Sequence, residues 1–123
     1  MRRALAALTV LLCALPLAAC GGSSGGSSDG SGGPTEAKVI DVTFTGDSVT
    51  PNGDRVEISV GQPVTLHVTA DAPGEIHVHS DPEQELAYPK GESDVKVSPI
   101  TTPGTVDVES HTLDKVIVQL EVH

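Results

Sequence analysis

Val56-Glu57-Ile58-Ser59-Val60-Gly61-Gln62-Pro63-Val64-Thr65-Leu66-His67-Val68 is the stretch that decides the fold. Apolar and polar residues alternate on both sides of Gly-Gln-Pro. On a strand, successive side chains point to opposite faces, so Val56, Ile58 and Val60 share one face. Val64, Leu66 and Val68 do the same after the turn. Gly61 and Pro63 interrupt the run as turn residues do. The segment reads as two half-buried strands joined by a tight connection.

The same period recurs outward from it. Ile40, Val42 and Phe44 alternate with Asp41 and Thr43, and Ile76 and Val78 with His77 and His79. Val95 and Val97 flank Lys96, and Val106 and Val108 flank Asp107. Val116, Val118, Leu120 and Val122 close the chain. Pro51-Asn52-Gly53, Ala72-Pro73-Gly74, Pro89-Lys90-Gly91 and Pro103-Gly104 punctuate these runs. No helical period follows the signal-like segment. Seven short strands, each with one apolar face, predict an all-β, two-sheet sandwich or small barrel. Parallel pairing is not expected, because it normally needs a crossover helix and the runs leave no room for one.

The first twenty residues read as an address. Met1-Arg2-Arg3 is a short positive region, and Ala4 to Pro16 is an apolar run too short to span a bilayer. Leu17-Ala18-Ala19-Cys20-Gly21 follows and resembles the lipobox of bacterial lipoproteins. The resemblance implies a signal peptide over 1–19, lipidation of Cys20 and an extracytoplasmic, lipid-anchored protein. Cys13 would leave with the signal and Cys20 would carry lipid, so the folded part has no thiol for a disulfide or a thiolate metal site. Residues 21–33 are Gly or Ser except Asp29. Such a tether cannot bury a core, and its root-mean-square reach is about 20 Å. With it, residues 20–36 form the lipidated Cys and linker, and 37–123 form one domain.

Loss of Arg2 and Arg3 leaves five basic residues against seventeen acidic ones, a charge of −12. That balance argues against nucleic acid and anionic headgroups as partners, so membrane attachment must be covalent. It favours cations, whether metal ions or basic segments of an envelope protein.

Chemistry concentrates in Glu75-Ile76-His77-Val78-His79. Ile76 and Val78 supply the core face, so His77 and His79 point together to the other side. Two imidazoles on one face suit a divalent metal, or simply face water. His67 alternates with core residues and is expected in solvent. His123 is terminal and expected to fray. The acidic run Asp81, Glu83 and Glu85 reads as a solvated face or loop.

Several segments, in order, resemble cupredoxin-like domains. Val60-Gly61-Gln62-Pro63-Val64-Thr65-Leu66 looks like their strand–turn–strand opening. Glu75 to His79 falls where they carry the first metal-binding histidine. Pro89-Lys90-Gly91-Glu92 matches the segment before the last hairpin. Thr102-Pro103-Gly104-Thr105-Val106-Asp107-Val108 resembles the run into their copper-binding loop. The resemblance spans residues 38 to 123 and implies a Greek-key sandwich. It also implies that His77, at the start of its strand, and His111, at the end of its own, meet at one pole.

The departures limit the chemistry. A blue-copper site needs two His, a Cys thiolate and usually a Met. Counting from Gly104, the Cys position falls on Ser110, and no Met follows Met1. The resemblance therefore excludes a blue-copper electron carrier. It leaves a site of nitrogen and oxygen donors: His77, His79 and His111, with carboxylate help from Glu75, Asp81 or Glu109. Copper is the first expectation, zinc the second, and a metal-free accessory or protein-interaction domain the alternative.

Two enzyme resemblances are weaker. His77-Val78-His79 with Glu83 resembles the first cupin motif, with His111 as last ligand. Asp71 stands where a glycine belongs, however, and the second motif's spacing fails. The His-Val-His triplet also occurs in copper-zinc superoxide dismutases, whose other histidines and disulfide are absent here. A non-enzymatic binding module is the expectation.

Overall fold

The computed structural model describes residues 35–123. The expected signal peptide over 1–19, the expected lipidation at Cys20 and the expected linker up to residue 34 lie outside them. Nine strands follow in order: β1 (Lys38–Thr45), β2 (Ser48–Thr50), β3 (Asp54–Ile58), β4 (Val64–Ala70), β5 (Gly74–Val78), β6 (Gln84–Tyr88), β7 (Gly91–Val97), β8 (Gly104–Ser110) and β9 (Lys115–Val122). They form a sandwich of a four-stranded sheet, β2-β1-β4-β7, and a five-stranded sheet, β3-β9-β8-β5-β6. The expected all-β, Greek-key sandwich of cupredoxin type is the observed one.

Two strands escaped the sequence reading. β2 is three residues long and has only Val49 to bury. β6 carries part of the acidic run, and its Gln84, Leu86 and Tyr88 turn inward while Glu85 and Ala87 face out.

The expectation against parallel pairing is corrected. β1 pairs with β4 in parallel, and β3 with β9. No helix is needed, because the chain leaves β1 and β2, enters the opposite sheet as β3, and returns as β4. The excursion through the second sheet performs the crossover that a helix performs in an open sheet.

The core is aliphatic. Val42, Leu66, Val68, Ile76, Val78, Val108, Ile117, Val118 and Leu120 are fully buried. Each contributes roughly 1.5–3 kcal/mol on burial for the larger side chains. The two aromatics of the domain stack on one another: the Phe44 and Tyr88 rings lie 4.7 Å apart and 12° from parallel. Gly74 is needed beside them, since a Cβ there would overlap the Tyr88 hydroxyl and approach its Cζ to 2.6 Å.

Three details depart from the simple alternation. β3 ends at Ile58, and Val60 is 43% exposed rather than inward. The turn begins early because the Gln62 side chain accepts from Ser59 N–H at 2.9 Å and Gln62 N–H donates to Ser59 O at 2.9 Å. A bulge opposite Val108 and Glu109 shifts the β8–β9 register, so Ile117 and Val118 are buried in succession and Val116 is only half-buried. His123 is not frayed at its backbone, which exchanges bonds of 3.1 Å with Ile58 O and Val60 N–H.

Candidate metal centre

The site lies on the outer face of the five-stranded sheet. Ile76 and Val78 bury their side chains completely, which turns His77 and His79 outward. His77 is the fourth of five residues in β5, not at its start as expected. It pairs across the sheet with Glu109 of β8, and His79 N–H continues the ladder by donating to Asp107 O at 2.9 Å. Opposite Val108 and Glu109, β9 carries one extra residue, Ile117, so the bulge lies in β9. Glu109 on β8 points at the histidines.

His111 opens the turn between β8 and β9. Asp114 N–H closes that turn on His111 O at 3.3 Å, with Asp114 in the left-handed region at φ 50°. Leu113 packs against the core and pins the turn. His111 is thereby held over β5, although 34 residues separate it from His77.

The three imidazoles converge. His77 Nδ1 lies 3.0 Å from His111 Nε2, and the rings stand edge to face. Each of His77, His79 and His111 offers a ligand atom, and these atoms all lie within 4.8 Å of one another. Two carboxylates complete the cluster. Glu109 Oε2 is 2.9 Å from His79 Nε2 and 3.8 Å from His111 Nε2. Glu83 reaches His77 Nε2 at 3.4 Å and His79 Nδ1 at 3.6 Å. Among the described residues, Glu75 and Asp81 make no ion pair with an imidazole, so of the three expected carboxylates only Glu109 is in place. Glu83 was expected only through the weaker cupin resemblance, not among the carboxylates of this site. Its sequence signal is its position four residues after His79, the spacing that carries that resemblance.

The environment is anionic and partly covered. His77 keeps only 12% of its side-chain exposure, His79 36% and His111 58%. The hydrogen bond that His79 donates to Glu109 raises the pKa of His79 above its ordinary value, helped by the charges of Glu109 and Glu83 and opposed by partial burial. His67 and His123 are elsewhere. His67 sits on the outer face of the other sheet, 2.7 Å from Asp94, which likewise raises its pKa. His123 lines an open groove beside β1 and β3.

The donor set can be tested against a metal. Zinc or copper bound by nitrogen at about 2.0–2.1 Å places adjacent donors about 2.8–3.4 Å apart. The His77–His111 separation of 3.0 Å meets that spacing. The wider separations, up to 4.8 Å, involve His79 and His111, the more exposed of the three imidazoles. A blue-copper arrangement does not fit. Ser110, at the thiolate position by the sequence count, is fully buried and lies on the opposite face of β8 from Glu109. Residues 35–123 contain neither Cys nor Met.

Comparison with known proteins supports the fold alone. No protein-family model and no curated protein matches the chain. Among solved structures, a methionine-to-alanine mutant of amicyanin in its Cu(I) form is similar at 16% identity and a TM-score of 0.52, over 71% of this chain and 82% of that one. A second methionine mutant, also Cu(I), gives the same values. A reduced Cu(I) form, at pH 4, of a proline-to-glycine mutant gives 14% identity and 0.51 over the same shares. The chain has the cupredoxin-like fold.

Proposed function

We propose that this chain is a membrane-anchored, extracytoplasmic binding module that holds copper through His77, His79 and His111. The observation that carries the reading is the convergence of these imidazoles from two distant segments to within 4.8 Å. Three nitrogens and nearby carboxylates suit Cu(II) first and Zn(II) second. Without a thiolate, the site holds or buffers the ion rather than passing electrons, and the module is not an enzyme. Lipid on Cys20 is the proposed anchor. Residues 21–33, all Gly or Ser except Asp29, separate that cysteine from the domain.

The test is a titration of the purified protein with Cu(II) against a chelator of known affinity. One ion per chain, weakened at least tenfold by His77→Ala, is the expected result. Binding unchanged by that substitution would sink the proposal. It would favour a metal-free interaction domain whose imidazoles are satisfied by Glu109 and Glu83 alone.

A further inference from the structure

Resting on that reading, we infer that Glu109 is the fourth ligand of the centre and that Glu83 is the positioning residue that selects which nitrogens of His77 and His79 face it. The sequence offered Glu109 as one of three helping carboxylates and Glu83 only through the cupin resemblance; their separate roles follow from which atom touches which.

Taken in order, His77 Nδ1, His111 Nε2, Glu109 Oε2 and His79 Nε2 form a run of donors. Successive separations are 3.0, 3.8 and 2.9 Å. Adjacent donors around a four-coordinate ion at about 2.0–2.1 Å fall about 2.8–3.4 Å apart, whether the ion is planar or tetrahedral. Two of the three edges lie within that range. The third closes by a rotation of His111, the most exposed of the four side chains but one that keeps its backbone fixed in the turn. An N₃O set carrying one negative charge matches a borderline divalent cation better than three neutral imidazoles do.

Glu83 approaches from behind. Its Oε2 is near His77 Nε2, and its Oε1 is near His79 Nδ1. These are the two nitrogens that do not face the donor run. Separations of 3.4 and 3.6 Å are long for hydrogen bonds. They are short enough that a proton on either nitrogen is favoured by the carboxylate it meets. A proton on His77 Nε2 leaves the Nδ1 lone pair free, and one on His79 Nδ1 frees Nε2. Glu83 thus favours the Nδ1-ligating tautomer of His77, and the Nε2-ligating one of His79 once an ion replaces the shorter Glu109 contact at Nε2, a role that outer carboxylates play for ligating histidines.

Glu85 supplies the control. It stands opposite His77 in the β5–β6 register, yet it makes no ion pair with any imidazole among the described residues. Glu85→Gln removes the same charge at a similar place without removing a ligand.

The experiment has two readouts on the purified protein. Competition titration with Zn(II), and separately Cu(II), compares the wild type with Glu109→Gln, Glu83→Ala and Glu85→Gln. Glu109→Gln and Glu83→Ala are expected to weaken both metals 10- to 100-fold, and Glu85→Gln less than threefold. Long-range proton–nitrogen NMR then identifies the tautomers. The assignment expects protons on His77 Nε2 and His79 Nδ1 with Zn(II) bound, and in metal-free Glu83→Ala a mixed His77 tautomer while Glu109 holds the proton on His79 Nε2. Wild-type binding with Glu109→Gln equal to Glu85→Gln would overturn the ligand role. The opposite tautomers would overturn the positioning role. Wild-type binding no tighter than that of a histidine peptide would overturn the proposed function itself, and this assignment with it.

Discussion

Replacing Ser110 asks whether the thiolate position of the fold and the histidine cluster lie on opposite sides of β8. Its side chain is fully buried, and its hydroxyl has no hydrogen-bond partner. A buried hydroxyl without a partner costs about 1–3 kcal/mol. Ser110→Ala removes that cost and leaves a void smaller than the roughly 30 Å³ share of one water. At about 24 cal/mol per Å³ the void costs less than about 0.7 kcal/mol. The net expectation is a stabilisation of about 0.5–2 kcal/mol, read as a higher urea midpoint at unchanged slope. Ser110→Cys is expected to be at least as stable, because sulfur fills the space and is a weak donor that tolerates apolar surroundings. It is also expected to stay colourless with Cu(II), since the thiol points inward while His77, His79 and His111 gather outside. Destabilisation of Ser110→Ala by 1 kcal/mol or more would refute the energetic reasoning. A blue Ser110→Cys protein whose colour depends on His77 would refute the geometric reasoning.

Other expectations follow from the same contacts. Gly74→Ala drives a methyl group into Tyr88 and disturbs its stack on Phe44, so a loss of about 1–3 kcal/mol is expected on urea unfolding. The loss should largely vanish when Tyr88 is also replaced by Leu. His67 has a folded pKa raised above 6.5 by Asp94. Its contribution to stability is therefore complete below that unfolded value and fades as pH rises through the folded one. Asp94→Asn is expected to flatten the pH dependence of unfolding just above 6.5, while leaving metal binding unchanged because His67 lies on the other sheet.

Alternation was enough to identify the sandwich and to turn His77 and His79 away from the core. Ile76 and Val78, both fully buried, leave the two imidazoles no other direction. The partnership of His111 with them was carried by the family resemblance, because no local pattern links residues 34 apart. Glu83 entered only the cupin resemblance and was otherwise set aside for a different reason. An acidic residue after Asp-Pro reads as solvated, and only the return of the chain as β6 brings its carboxylate behind both rings. The bulge opposite Val108 and Glu109 was equally silent, since Val116-Ile117-Val118 offers two choices of inward phase and the sheet partner decides between them. The parallel pairs β1–β4 and β3–β9 were misjudged because a crossover was assumed to need a helix. Val60 was misplaced because Gln62 closes its turn through a side-chain bond that periodicity does not register. Each miss involves a contact between segments distant in sequence or a side chain acting on the backbone.

The central claim is that His77, His79 and His111 share one ion, and counting the nitrogens around bound copper tests it most directly. Electron paramagnetic resonance of the purified protein with less than one equivalent of Cu(II) resolves the hyperfine pattern of the coordinating nitrogens. The account predicts three equivalent or near-equivalent imidazole nitrogens, falling to two in His111→Ala and in His77→Ala. A pattern of one nitrogen in the wild type, or a count that neither substitution changes, would contradict it.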